Sequence, residues 1–111
     1  MSEKTPEEVA VDTFHNPYSC AQAVFAAFRK DPSEEDMAFM KANSAGRAEG
    51  GICGALFAAR MLVGEPRRRE VDAFFEEHVG GTQCRRIKSE ARTPCSQCVL
   101  FGARAAAMFM D

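Results

Sequence analysis

The chain has 111 residues, of which 46% are apolar, and a formal net charge of −2 at pH 7. This length suits one domain over residues 1–111 and is too short for two full cores. The nearly neutral charge argues against a general nucleic-acid binder, which carries a strongly basic stripe. The sequence contains no run of about 18 apolar residues, the length that a membrane span needs. The polar N-terminal residues also lack the apolar segment of a signal peptide. We therefore expect a cytoplasmic protein without a nucleic-acid or membrane partner.

Capping signals predict the first two helices. Thr5 and Glu8 have the spacing of a capping box, and this helix should run to about His15. Ser19 and Gln22 repeat the same signal and predict the start of a second helix. Its apolar side chains recur at helical spacing, which indicates a buried face.

The middle of the chain predicts two further helices separated by a glycine-rich loop. Asp31 is the expected N-cap of the third helix, with Pro32 at its first position. The small residues of segment 44–51 predict a loop whose glycines let the backbone pass close to another group. A fourth helix should follow from about Ile52 and end at Gly64.

The last third of the chain predicts a fifth helix, a short helical piece and a long final helix. Pro66 opens the fifth helix and Gly80 ends it. Thr82 should cap the short piece, and a polar loop at 89–92 should precede the final helix, which starts at Pro94. With no convincing strand, the sequence predicts an all-α, compact single-domain bundle of about six helices.

Four of the five cysteines fall at predicted helix starts: Cys20, Cys53, Cys84 and Cys95. The first turn of a helix presents unpaired N–H groups and the positive end of the helix dipole. Both favour a thiolate, so we expect the pKa of these thiols to lie below that of a free cysteine. Because the thiolate is both the nucleophile and the metal ligand, the pattern predicts one functional site rather than core filler.

The fifth cysteine belongs to a Cys-x-x-Cys pair, since Cys95 and Cys98 share one face of the final helix. This spacing suits two metal ligands, or a nucleophile with a resolving thiol. Val99 stands where a c-type haem attachment needs histidine, and the βαβ pattern of a thioredoxin-like fold is missing. His15 and His78, near helix ends, are expected to be solvated or to cap a helix rather than to bind metal.

The segments that carry the cysteines read NPYSCAQAV (16–24), GGICGA (50–55), FEEHVGGTQCR (75–85) and CSQCV (95–99). In order and spacing they resemble the redox-active protein family named for its C–GCAxxG–C–C cysteine signature, over about residues 16–107. The resemblance implies redox activity and an iron–sulfur cluster, without identifying a substrate or partner. Ala58 departs from the motif, which has glycine there, and Cys98 is either additional to the four signature cysteines or itself the fourth.

Three kinds of site remain open. The first is an iron–sulfur cluster for electron transfer, held by Cys20, Cys53, Cys84 and either Cys95 or Cys98. The second is a metal-free thiol redox protein of oxidoreductase type, with Cys95 and Cys98 as its reactive pair. The third is a structural zinc site of four cysteines. The expected partner is a redox protein or a small thiol, and the apolar helix faces leave room for a homo-oligomer.

Overall fold

The computed structural model describes residues 4–16, 18–29 and 31–110. These residues contain seven α-helices. In chain order they are α1 (Pro6–Thr13), α2 (Cys20–Phe28), α3 (Glu34–Ala42), α4 (Gly54–Val63), α5 (Arg68–Val79), α6 (Cys84–Arg86) and α7 (Cys95–Phe109). These residues contain no β-strand, only two isolated bridges. The predicted all-α fold is confirmed, with seven helices where about six were expected.

The two predicted capping boxes are confirmed. At the start of α1, the Thr5 side chain accepts from the Glu8 N–H, and Glu8 accepts from the Thr5 N–H. Ser19 and Gln22 make the same reciprocal pair at the start of α2. Each box satisfies N–H groups that a helix start would otherwise leave without a partner. The sequence therefore places the start of α2, and with it Cys20, correctly.

The predicted start of α3 is wrong by two residues. Ser33, rather than Asp31, is the N-cap, and its hydroxyl accepts from the Asp36 N–H at 3.0 Å. Three acidic residues follow Ser33 in the first turn, where their negative charges interact favourably with the positive end of the helix dipole. The end predicted for α1 is also wrong, because the helix stops at Thr13 and His15 adopts a left-handed conformation with φ of 65°.

The backbone before α4 is extended, so this helix starts at Gly54 instead of about Ile52. The Cys53 N–H donates to the Thr82 carbonyl oxygen at 2.8 Å, and Ile52 forms an isolated antiparallel bridge with Gln83. This pairing also explains why Thr82 does not cap α6. Gln83 is the N-cap there, without a side-chain hydrogen bond.

The polar loop predicted at 89–92 is wrong, because residues 87–91 continue α6 as a π-helical turn. Ile87 opens this turn and is buried in the core. Burial of this one apolar side chain holds the segment against the bundle, and the exposed residues after it complete the turn. Arg92, with φ of 54°, then ends the turn before α7.

Small side chains allow α2, α4 and α7 to pack closely at the centre of the bundle. Eight alanines of these helices are fully buried: Ala21, Ala23, Ala55, Ala58, Ala59, Ala103, Ala105 and Ala106. A Cβ on Gly102 of α7 would lie 2.9 Å from both the Cβ and the carbonyl oxygen of Ala55 in α4. This close crossing brings the first turns of α7 against the start of α4.

None of the helices within the described residues has the length and hydropathy that a membrane span requires.

Candidate functional site

All five cysteines line one cavity with a volume of about 460 Å³. Cys53 and Cys98 are buried, with exposed fractions of 5% and 3%, whereas Cys20, Cys84 and Cys95 are half-buried. All five are free thiols. The structure thus brings together every cysteine that the sequence singled out.

Four helix starts point the cysteines at this cavity. Cys20, Cys84 and Cys95 are the first residues of α2, α6 and α7, while Cys53 is the N-cap of α4. The Cys53–Thr82 backbone bond fixes the start of α4 beside the segment that leads into Cys84. The Gln83 side chain reinforces this contact by donating to the Gly50 carbonyl oxygen at 3.2 Å.

Glycines leave the space that two of the cysteine side chains occupy. A Cβ at position 54 would lie 2.5 Å from Cys20 Sγ, so the sulfur atom packs directly against Gly54, the first residue of α4. A Cβ on Gly46 would lie 3.0 Å from the Cβ of Cys84, and Gly46 also has a positive φ of 80°. At Gly46, the group that the glycine-rich loop was predicted to approach is therefore Cys84, a cysteine of the site.

Hydroxyl groups attach the start of α2 to the end of α3. Ser44 is buried and donates to the Met40 carbonyl oxygen at 2.9 Å, while its Oγ lies 2.8 Å from the Ser19 hydroxyl. The Gln22 amide donates to the Met37 carbonyl oxygen at 3.0 Å. Because Ser19 and Gln22 flank Cys20 in the chain, these bonds hold Cys20 in position.

The Cys53 thiol hydrogen-bonds to Cys98, and this bond raises the pKa of Cys53 well above that of a free thiol. Burial and the charge of Cys98 act in the same direction. The N–H groups of Leu56 and Ala55 oppose the rise, although Cys53 makes no capping hydrogen bond of ordinary geometry. The pKa depression expected at a helix start is therefore wrong for Cys53, because the thiol contact and desolvation outweigh the helix.

The pKa of Cys84 is also raised, mainly by burial. Lys88 lowers it, whereas Cys53, Cys95 and Cys20 each raise it further. The lowered pKa expected here is wrong as well, because desolvation outweighs the effect of the helix start. The contributions of three other cysteines mean that Cys53, Cys95 and Cys20 all lie within electrostatic range of Cys84.

Cations surround the thiols. The cavity is lined by Lys41, Arg47 and Lys88, and no Asp or Glu is among the described residues that line it. Arg47 is held in place because its guanidinium donates to the carbonyl oxygens of Ser44 at 3.1 Å and Lys41 at 3.0 Å. A chain with a net negative charge therefore presents a locally positive environment at its cysteines.

Two residues that were not predicted to belong to the site also line the cavity. His15 is exposed, as expected, but it also lines the cavity, with its ring tilted by 33° against the Phe14 ring at 3.9 Å between centroids. Tyr18 lines the same cavity. The left-handed turn at His15 brings both residues to the site, and no spacing in the sequence signals such a turn. His78 is exposed on α5 and is not among the lining residues.

The donor atoms of the cavity are sulfur. Among the described residues, no three His, Cys, Asp or Glu side chains are gathered closely enough to hold a single metal ion. The thiols line a cavity, and four cysteine thiolates are the usual ligand set of [2Fe–2S] and [4Fe–4S] clusters. The chemistry of the donors therefore fits a cluster, and the predicted ligand assignments stay predictions.

Replacing Lys88 by glutamine is expected to slow alkylation of Cys84 by iodoacetamide near neutral pH. Lys88 lowers the pKa of Cys84, so its removal raises that pKa and reduces the thiolate fraction. Rates are measured by peptide mass spectrometry across a pH series. Lys41→Gln, which removes another cation from the same cavity, is the control and should leave Cys84 closer to the wild-type rate. Equal slowing by both variants would contradict a specific effect of Lys88.

Comparisons with known proteins found nothing similar: no family model matches the chain, and neither does any curated protein or solved structure. The resemblance of the cysteine segments to the C–GCAxxG–C–C family accordingly stays a prediction.

Proposed function

We propose that this chain is a redox-active electron-transfer protein that holds an iron–sulfur cluster through Cys20, Cys53, Cys84 and Cys95. One observation carries the proposal: four thiols, each from a different helix start, line a single cavity. Core cysteines have no reason to gather in this way, whereas cluster ligands must. Cys98, the buried fifth thiol, lies outside the proposed ligand set.

The surroundings of the cavity suit a group with negative charge. Lys41, Arg47 and Lys88 provide positive charge, and the helix starts provide N–H groups for hydrogen bonds to sulfur. A bound cluster would supply one-electron redox chemistry. Since metal binding requires thiolates, the raised pKa values of Cys53 and Cys84 predict that uptake releases protons and strengthens as pH rises.

The test is metal and acid-labile sulfide analysis of protein purified without oxygen. We expect a brown protein that contains iron and sulfide and absorbs in the visible. Serine variants of Cys20, Cys53, Cys84 and Cys95 should each lose most of the iron. Cys98→Ser is the matched control, because it removes a cysteine of the same cavity and should retain the iron.

Two results would count against the cluster. A colourless protein without iron or sulfide, even after anaerobic reconstitution, would overturn it. Bound zinc in place of iron would favour the structural zinc site instead. Loss of iron in Cys98→Ser but not in Cys95→Ser would leave the cluster in place and make Cys98 its fourth ligand.

A metal-free thiol–disulfide protein is the second candidate, favoured by the contact between Cys53 and Cys98. It would exchange electrons with a redox protein or a small thiol through disulfide chemistry. Both candidates include a cytoplasmic location, where thiols are kept reduced. The metal analysis separates them, since only the cluster requires iron and sulfide.

A further inference from the structure

We propose that the mouth of the cysteine cavity binds a small organic anion, whose charged group is held by Arg47 together with Lys41 and Lys88. Binding of the anion depends only on the residues at the mouth. Its significance, as the class of substrate that reaches the redox group, rests on the proposed function.

Exposure divides the lining of the cavity into a mouth and a floor. Cys53 and Cys98 are buried, with exposed fractions of 5% and 3%, and form the floor. Three cations that line the same cavity are exposed to solvent, and these are Lys41, Arg47 and Lys88. They therefore lie at the opening, which a small molecule must pass to reach the thiols. Because cations and thiols occupy different parts of the lining, one cavity can hold a group on its sulfur atoms and an anion at its mouth.

Arg47 is fixed in an orientation that leaves hydrogen-bond donors free. Its Nε donates to the Ser44 carbonyl oxygen at 3.1 Å, and its Nη2 donates to the Lys41 carbonyl oxygen at 3.0 Å. A guanidinium has five N–H donors, so three of them have no partner among the described residues. The planar group matches the oxygens of a carboxylate or a phosphate. Since the side chain is already held in place, binding an anion costs little further ordering.

No acid neutralises the cations at the mouth. Within the described part of the chain, Lys41, Arg47 and Lys88 form no ion pair. Six other basic residues do form one, namely Lys4, Arg60, Arg67, Arg68, Arg86 and Arg104. A cleft with low-dielectric walls concentrates the field of charges of one sign. The mouth should therefore attract anions although the chain has a net charge of −2.

The size and the apolar part of the lining favour an organic anion over an inorganic one. The cavity volume of about 460 Å³ falls in the range of small-molecule sites, about 300–1,000 Å³. Phe14 and Tyr18 are half-buried and line the cavity, so their rings offer a surface to an apolar group. The ligand class is thus a molecule with a charged end for the cations and an apolar body for the rings.

The test is an NMR titration of the reduced, isotope-labelled full-length chain with phenyl phosphate at low salt. We expect saturable shifts at amides of the cavity, including those of Arg47 and Lys88, and weaker binding as salt rises. Arg47→Gln should raise the Kd about tenfold or more, the scale of a charge-assisted hydrogen bond. Arg85→Gln is the matched control, because Arg85 is an exposed cation of α6 that is not among the described residues lining the cavity. Its Kd should equal that of the wild type.

Lys88→Gln provides a second variant if Arg47→Gln does not fold, and its Kd should rise as well. Three results would overturn the proposal: no saturable binding of phenyl phosphate, equally tight binding of uncharged benzyl alcohol, or equal losses in Arg47→Gln and Arg85→Gln. Inorganic phosphate that binds as tightly as phenyl phosphate would also overturn it, because the apolar body would then contribute nothing. Iron analysis of anaerobically purified protein decides the proposed function separately, since the titration requires no metal.

Discussion

Replacing Phe75 by alanine is expected to lower the free energy of unfolding by about 3–5 kcal/mol. Phe75 lies on α5 with an exposed fraction of 0%, where α5 packs against α4 and α7. Its loss removes the largest fully buried side chain and leaves a cavity that helices with small residues cannot easily collapse to fill. Because small domains are stable by only about 5–15 kcal/mol, the variant should unfold at a much lower urea concentration.

Phe39→Ala is the matched control, since 49% of Phe39 is exposed on α3. Its ring meets Phe57 with centroids 5.6 Å apart, so a loss of about 1 kcal/mol or less is expected. Urea unfolding followed by circular dichroism measures both variants. Similar losses for Phe75→Ala and Phe39→Ala would mean that α5 is not anchored in the core as the structure indicates.

Replacing Gly54 by alanine is expected to disturb the cysteine cavity directly. The added Cβ would lie 2.5 Å from Cys20 Sγ and 2.9 Å from the Cα of Ser44, which is too close for either contact to persist. Overpacking of this kind costs about 1–3 kcal/mol. Cys20 must move away from α4, so the variant should also retain less iron than the wild type after anaerobic purification.

Gly81→Ala provides the control for this substitution. Gly81 is also buried and needs no positive φ, but a Cβ there would meet Ile87 at an ordinary 3.5 Å. Its unfolding free energy should stay at or slightly above the wild-type value, because alanine restricts the unfolded chain. If Gly54→Ala matched Gly81→Ala in unfolding free energy and iron content, the close contact between Cys20 Sγ and Gly54 would be contradicted.

Local signals predicted the helix starts because capping depends on residues only three positions apart. Ser19 and Gln22 fixed the start of α2 in this way, and Cys20 followed from it. At α3 the sequence predicted Asp31 as the N-cap, whereas Ser33 is the residue that forms the capping hydrogen bond. Local chemistry thus placed most of the site's cysteines at helix starts, with errors of about two residues.

Features that depend on contacts distant in sequence could not be predicted. The extended backbone at Cys53 pairs with Thr82, and the close approach of α4 and α7 occurs where Gly102 meets Ala55. The predicted lowering of the pKa of Cys53 and Cys84 was wrong for the same reason. A helix start can be read from the sequence, but the side-chain hydrogen bond with Cys98 that outweighs its effect on the pKa of Cys53, and the burial that does so at Cys84, exist only in the folded chain.

The five thiols lie between residues 20 and 98 and come from helices that meet only in the folded bundle. A group that requires several of them at once therefore has little affinity for the unfolded chain, so its binding free energy adds to the stability of the whole fold. A ligand present at 100 times its dissociation constant would add about 2.7 kcal/mol. The melting temperature of the intact chain thus becomes a titration of any group that these cysteines bind, whether or not that group is coloured or redox-active.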